Sequence, residues 1–196
     1  MAQLKNKDLC FVSSNLNKFR EIEPILRQYG IVSQLIEMSI QEIQSESVHR
    51  IAEAKSNYAF KHLLRPVLIE DDGFYISSLN GFPGQYSSFV YKTLGNQGIM
   101  QLMLNKVNRR AYFLSVIAYN DGHTLKMFSG KTQGMLSKVV AEGGWGFDPI
   151  FLPENTNKTY AELSRLSRKS FYSHRRKSIE KFSKWYITKR LQSGNR

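Results

Sequence analysis

Four short segments carry the side chains with chemical capacity. Ser13-Ser14-Asn15-Leu16-Asn17-Lys18 offers hydroxyls, amides and one ammonium. Glu70-Asp71-Asp72-Gly73 sets three carboxylates side by side. Gly143-Gly144-Trp145-Gly146-Phe147-Asp148-Pro149 brings two rings and a carboxylate into a glycine-rich run, and Lys169 with Ser173-His174-Arg175 adds cations and an imidazole. Adjacent carboxylates oppose one another's ionisation unless a cation sits among them. A hard divalent ion with oxygen ligands is such a cation, and phosphate substrates commonly bring Mg²⁺. An aromatic face can stack on a nucleobase at roughly 1–3 kcal/mol. A guanidinium such as Arg175 can donate paired hydrogen bonds to a carbonyl oxygen and a ring nitrogen. Acids, cations and rings together suit the hydrolysis of a nucleoside triphosphate.

Each segment alone also has a plainer reading. Ser13 to Lys18 lies between an apolar run and a helical pattern, where free N–H groups and the positive end of the dipole suit a phosphate. It lacks glycine and is no P-loop, so a capped helix start is the competing account. The acidic run competes with a solvated turn, but it emerges directly from the apolar Val67-Leu68-Ile69. The glycine-rich run competes with a tight turn bearing core aromatics. The four histidines, at 49, 62, 123 and 174, show no zinc-like spacing.

The elements that must position these residues follow from periodicity. Leu9 to Val12 predicts a first strand ending in the polar turn. From Asn17 the residues Ile22, Ile25, Leu26 and Tyr29 fall on one helical face, with Gly30 as the stop. Ile31 to Met38 predicts a second strand. A helix from about Ser47 presents Val48, Ile51, Ala52, Lys55, Tyr58 and Ala59 on one face. Val67 to Ile69 predicts a buried strand that ends in the acids. Asn80 to Gly84 reads as a turn-rich loop and Gly95 to Val107 as a helix. Arg110 to Asn120 and Leu125 to Thr132 form a hairpin around a two-residue turn signal, Asp121-Gly122. A basic helix closes the chain. The order implies an α/β fold with a mixed sheet. With no repeat and no linker, residues 1–196 read as a single domain, at most bilobed.

Composition sets the remaining bounds. At 196 residues with 41% hydrophobic and 22% charged residues, the chain can bury an ordinary globular core. No stretch approaches the ~20 apolar residues of a membrane span, and Met1 to Asp8 has no apolar region of the kind a secretory signal needs. The lone Cys10 reads as a small buried hydrophobe, so a reducing, cytoplasmic location is expected. The net charge of +12 is concentrated at the end: Arg165 to Arg196 holds eleven Lys or Arg against one acid, Glu180. Such an end attracts nucleic acid or nucleotides, or serves as a solvated helix face.

Read in order, these segments resemble the inosine triphosphate pyrophosphatase (Ham1-like) family, whose members clear aberrant purine nucleotides. Ser13-Ser14-Asn15 with Lys18 resembles the family's Thr-Gly-Asn-x-x-Lys. Gln41-Glu42-Ile43-Gln44 resembles its acidic metal-binding segment, and Glu70-Asp71-Asp72-Gly73 its Glu-Asp-Ser-Gly. Leu79 to Ser87 resembles Leu-Asn-Gly-x-Pro-Gly-x-Tyr-Ser, Trp145 to Asp148 resembles Phe-Gly-Tyr-Asp, and Lys169 with Ser173-His174-Arg175 resembles Lys-x-x-x-Ser-His-Arg. The match runs nearly end to end. The resemblance implies an elongated mixed sheet flanked by helices, with two lobes around a nucleotide-binding cleft, and usually a homodimer. It implies Mg²⁺-dependent cleavage of ITP, dITP or XTP between the α- and β-phosphates, giving monophosphate and pyrophosphate. By position, Asp71 would activate the attacking water and share Mg²⁺ with Glu42, which the residues alone did not suggest. Ser13, Ser14, Asn15 and Lys18 would hold the triphosphate. Trp145 and Phe147 would flank the base, Asp148 would contact it, and Lys169, His174 and Arg175 would close around it. Arg175 aimed at O6 would favour a 6-keto base over the amine of adenine.

The chain departs from the family pattern at three places. Asp72 replaces Ser or Thr at a position that would bind substrate, and it places another negative charge beside Asp71 that would strengthen metal binding. Ser13-Ser14 replaces Thr-Gly, and Trp145-Gly146-Phe147 alters the ring sizes. Two other functions compete: a nucleic-acid-binding module built on the basic end, which leaves the acids without a role, and a related hydrolase of other modified nucleotides.

Overall fold

The computed structural model describes residues 9–194. The polar opening Met1–Asp8 and Arg196 of the basic end lie outside the described residues. The first strand, β1 (Leu9–Val12), is buried throughout and pairs in parallel with β2 (Ser33–Ile36). Between them runs α1 (Leu16–Gln28), which buries Ile22, Ile25 and Leu26. Its end is fixed by a left-handed Gly30: the amide of Gly30 donates to the Arg27 carbonyl, and that of Ile31 to the Leu26 carbonyl. This paired closure uses a backbone conformation that costs glycine least. Ser47 caps α2 (Val48–Leu63), whose side-chain oxygen accepts from the Arg50 amide.

The third strand, β3, runs from Val67 to Ile76 and pairs in parallel with β1. The acids therefore lie inside a strand rather than at its end, as the three-residue expectation had it. Phe74 and Ile76 carry the buried alternation past them. A short β4 (Pro83–Gly84) pairs antiparallel with β3, followed by α3 (Ser87–Thr93) and α4 (Gly95–Leu102). The expected helix to Val107 stops at Leu102, although Met103 is still buried in the core, and the chain turns through a left-handed Asn105 at φ +61°. Next come β5 (Arg110–Asn120) and β6 (Leu125–Leu136). Their connection takes four residues, Asp121 to Thr124, rather than two. The Asp121 carboxylate accepts from the amides of His123 and Thr124 and so caps the wider loop. The chain closes with β7 (Phe151–Pro153), antiparallel to β6, then α5 (Tyr160–Arg165), α6 (Lys169–Tyr172) and α7 (His174–Gly194).

The strands form one seven-stranded mixed sheet in the order β2-β1-β3-β5-β6-β7, with β4 on β3. This is the α/β class the sequence implied. The single expected domain divides into two compact units. Unit 1 comprises the chain up to Asp71, Ser115–Gly130 and the chain from Arg175; unit 2 comprises Asp72–Leu114 and Lys131–His174. The core of unit 1 contains Phe11, Ile22, Leu26, Leu68, Ile117, Ile179 and Phe182. Each such side chain fully buried contributes about 1.5–3 kcal/mol. The core of unit 2 gathers Phe74, Phe113, Phe147, Phe151 and Tyr160, with Phe113 stacked on Phe74 at 4.4 Å and edge-on to Phe151. Among the described residues no helix is long and apolar enough to cross a membrane. Cys10 is buried.

Candidate active site

In unit 1 the polar turn after β1 is ordered by its own side chains. Ser13 Oγ accepts from the Asn15 amide at 3.0 Å, and Asn15 Oδ1 accepts from the Asn17 amide at 3.0 Å. Asn15 is thus the cap of α1, and the first turn of that helix carries Lys18. Ser13, Ser14, Asn15 and Lys18 therefore share one helix N-terminus, where backbone amides and the ammonium favour an anion. Lys18 Nζ lies 3.0 Å from Glu70 Oε2 and 3.9 Å from Asp71 Oδ1.

Alternation along β3 sends Asp71 to the side opposite Glu70 and Asp72. Each of the three adjacent carboxylates consequently has partners of its own, with Lys18 shared between Glu70 and Asp71. Asp71 Oδ2 receives Lys55 Nζ of α2 at 2.6 Å, and the same ammonium reaches Glu42 Oε1 at 2.5 Å. Glu42 and Asp71, far apart in sequence, are thereby brought to one cation in unit 1. Glu70 is sealed from solvent, accepts from Ser115 Oγ at 2.6 Å, and faces Arg175 Nε at 3.3 Å. Asp72 faces His174 Nε2 at 3.8 Å in unit 2. The expectation that Asp72 strengthens a metal site beside Asp71 is therefore not met, because the pleat turns it away.

Among the described residues, no three His, Cys, Asp or Glu side chains gather as a metal cage. Glu42 and Asp71 are the two carboxylates that could hold a divalent cation in unit 1. Their oxygens already converge on the ammonium of Lys55, and Mg²⁺ is typically held by one or two carboxylates completed by substrate phosphates.

Unit 2 holds the remaining candidates. Asp148 Oδ2 and Lys169 Nζ form a buried pair at 2.7 Å, and the Trp145 amide donates to the same Asp148 oxygen at 3.3 Å. The Lys169 ammonium also lies 5.1 Å from the centre of the half-buried Trp145 ring. Gly144 is required here: a Cβ on it would stand 2.7 Å from Asp148 Cβ and 2.9 Å from Ala161 Cβ, at a φ of +73°. Phe147 is buried and stacked on Phe74 at 5.0 Å, so its ring belongs to the core, while that of Trp145 is partly open. The imidazole of His174 is buried and stacked on Phe113 at 4.7 Å.

His174 and Arg175 open α7 as neighbours, and each has partners within its own unit. His174 belongs to unit 2 and Arg175 to unit 1, where the guanidinium pairs with Glu70 and, at 3.1 Å, with Glu21 of α1. The basic helix is similarly engaged inside unit 1: Arg176 pairs with Glu180, Lys181 donates to the Ser129 carbonyl, and Lys189 pairs with Asp121. These contacts use charges that a nucleic-acid surface would need. Sequence reasoning missed Lys55 and the pairing of Glu70. Lys55 left a signal, a charged residue set in the apolar stripe of α2.

The Ham1 family model matches residues 9–185. The chain is 40% identical over 178 residues to the dITP/XTP pyrophosphatase of Methanopyrus kandleri, covering 90% of this chain and 94% of that protein. It is 41% identical over 177 residues to the dITP/XTP pyrophosphatase of Pyrococcus horikoshii, covering 89% and 94%. The fold superimposes on the Ham1 protein of Staphylococcus aureus with a TM-score of 0.77 at 26% identity, covering 92% of this chain and 99% of that one. A Ham1 protein from Coxiella burnetii gives 0.77 at 27% identity, with the same coverage. With its capped Lys18 turn and its Asp71–Lys55–Glu42 cluster seated on this sheet, the chain belongs to the Ham1 family.

Proposed function

We propose that this protein is a nucleoside-triphosphate pyrophosphatase that cleaves dITP, XTP and ITP into monophosphate and pyrophosphate. The names of its relatives support the substrate class. The observation that carries the reading is the convergence of Asp71, Lys55 and Glu42 beside Lys18 in unit 1. Ser13, Ser14, Asn15 and Lys18 bind the triphosphate at the start of α1. Lys55 holds Asp71 through Oδ2, leaving Oδ1 to accept the proton of the attacking water. Glu42 and Asp71 would hold Mg²⁺, which when bound would offset the charge of the phosphate oxygens. Trp145 offers its ring to the base, and Phe147 supports that segment from the core. Asp148, Lys169, His174 and Asp72 supply polar contacts from unit 2. A donor from Lys169 or His174 meets O6 of hypoxanthine or xanthine favourably and the amine of adenine unfavourably. The enzyme acts as a cytoplasmic homodimer of single-domain chains.

The test is pyrophosphate release with Mg²⁺ from ITP, XTP, dITP, GTP, ATP and CTP. Rapid release from the first three, near-inertness of the others and loss of activity in EDTA are expected. No release from any of them refutes the reading. Preferred release from CTP moves the chain to other modified nucleotides.

A further inference from the structure

We infer that Glu70 is a positioning residue that sets Lys18 for the phosphate tail, with Arg175 holding the far side of its carboxylate. This rests on the proposed function, in which Lys18 binds the triphosphate. The Glu70 side chain is wholly buried, yet it carries a carboxylate between two cations. Lys18 from α1 meets one oxygen at 3.0 Å, and Arg175 from α7 meets the other at 3.3 Å. Ser115 of β5 donates to that second oxygen at 2.6 Å and stands 2.9 Å from Ser178 Oγ, which in turn donates to the Arg175 carbonyl at 3.0 Å. Arg175 also reaches back to Glu21, three residues beyond Lys18 on the same helix. Three elements of unit 1, α1, α7 and β5, thus converge on a single carboxylate of β3.

The distances give the arrangement its consequence. Lys18 stands 3.0 Å from Glu70 but 3.9 Å from Asp71. Glu70 therefore keeps the ammonium near Asp71 without letting it close on the oxygen that must take a proton. Without the charge of Glu70, the nearest anion left to Lys18 is Asp71. The ammonium would then be drawn off the phosphate position and would cover the base at once. The buried charge is matched within unit 1, as a sealed carboxylate must be.

The experiment is a double-mutant cycle on dITP hydrolysis with Glu70→Gln, which keeps the shape, and Lys18→Met, with melting curves for every variant. Glu70→Gln is expected to raise KM and lower kcat/KM by about tenfold or more in the native background, and by less than about twofold in the Lys18→Met background. Glu70→Asp is expected to restore part of the loss. Equal losses in both backgrounds would make Glu70 a merely structural residue and overturn the inference. If Glu70→Gln does not fold, Ser115→Ala takes its place: a KM rise that depends on Lys18 supports the inference, and one independent of Lys18 overturns it. A Lys18→Met variant with unchanged KM, or a native protein that does not hydrolyse dITP, overturns both this inference and the proposed function. A raised KM in Lys18→Met with additive Glu70 effects overturns the inference alone.

Discussion

The C-terminal helix, which brings Arg175 to Glu70, is fastened at its far end by Asp121, and the strength of that fastening follows from the structure. Asp121 receives Lys189 Nζ at 2.6 Å, the Tyr119 hydroxyl at 3.0 Å and the amides of His123 and Thr124. Burial alone would raise its pKa. The hydrogen bonds from Lys189, the two amides and Tyr119 overcome that and hold it at about 2, against 3.8 for a free aspartate. The same carboxylate, with burial as the larger cause, pushes the Tyr119 hydroxyl far above its usual range. A depressed carboxylate stabilises the fold above the unfolded pKa, and that contribution is lost as pH falls toward 2. The full shift corresponds to a little over 2 kcal/mol, and partial solvent exposure reduces it to roughly 1–2 kcal/mol. Asp121→Asn keeps the turn acceptor and removes the charge. It is expected to lower stability by about 1–2 kcal/mol at pH 7, or roughly 2–8 °C in melting temperature for a chain of this size. Urea unfolding of both proteins from pH 7 down to pH 2 is the assay. The gap must narrow between pH 4 and 2. A gap that is absent at pH 7, or that stays constant to pH 2, would refute the reasoning.

The other site residues make shorter predictions. Asp71→Asn is expected to lower turnover at least about a hundredfold with the fold intact, as loss of a general base commonly does; near-native turnover would remove Asp71 from the chemistry. Lys55→Met is expected to cost about tenfold or more in kcat, read from steady-state pyrophosphate release, because Asp71 loses the contact that aims it; an unchanged kcat would make Lys55 structural. Arg175→Ala is expected to reduce kcat/KM for ITP and ATP by the same factor, since its guanidinium faces Glu70 and Glu21. A selective loss on ITP would return Arg175 to the base.

What could be read from the chain depended on how far apart the partners lie. The helix α1 was legible at both ends because Ile22, Ile25, Leu26 and Gly30 are neighbours in one repeat. The strand β3 was not, because its acids look like a terminus until their cations are known. Those cations come from α1, α2 and α7, where no local pattern can show them. Asp72 and His174 illustrate the same limit, since the pleat that parts Asp72 from Asp71 exists only once the strand continues. The three-residue β7 is too short to leave a periodic signal. Among the residues named by family position, Asp148 and Lys169 meet directly, a pairing across 21 positions that no local pattern shows.

The charge balance of the unit 1 cluster has a consequence for how substrate must arrive. Glu21, Glu42, Glu70 and Asp71 are set against Lys18, Lys55 and Arg175, which leaves one carboxylate in excess. A bare triphosphate brings a concentrated negative charge toward a cluster that is already net negative, against which Lys18 and the polar start of α1 must hold it. A triphosphate already paired with a divalent cation meets Glu42 and Asp71 with the opposite sign, while Lys55 keeps its hold on Asp71 Oδ2. Binding of a non-hydrolysable ITP analogue, measured by calorimetry, is therefore expected to be at least about tenfold tighter with Mg²⁺ than in EDTA. In Glu42→Gln, where the excess carboxylate is gone, that difference is expected to shrink mainly through tighter binding in EDTA. Equal affinities with and without Mg²⁺ in the native protein would mean that the excess charge is screened before the phosphates reach it, and the cluster would then govern only the chemical step.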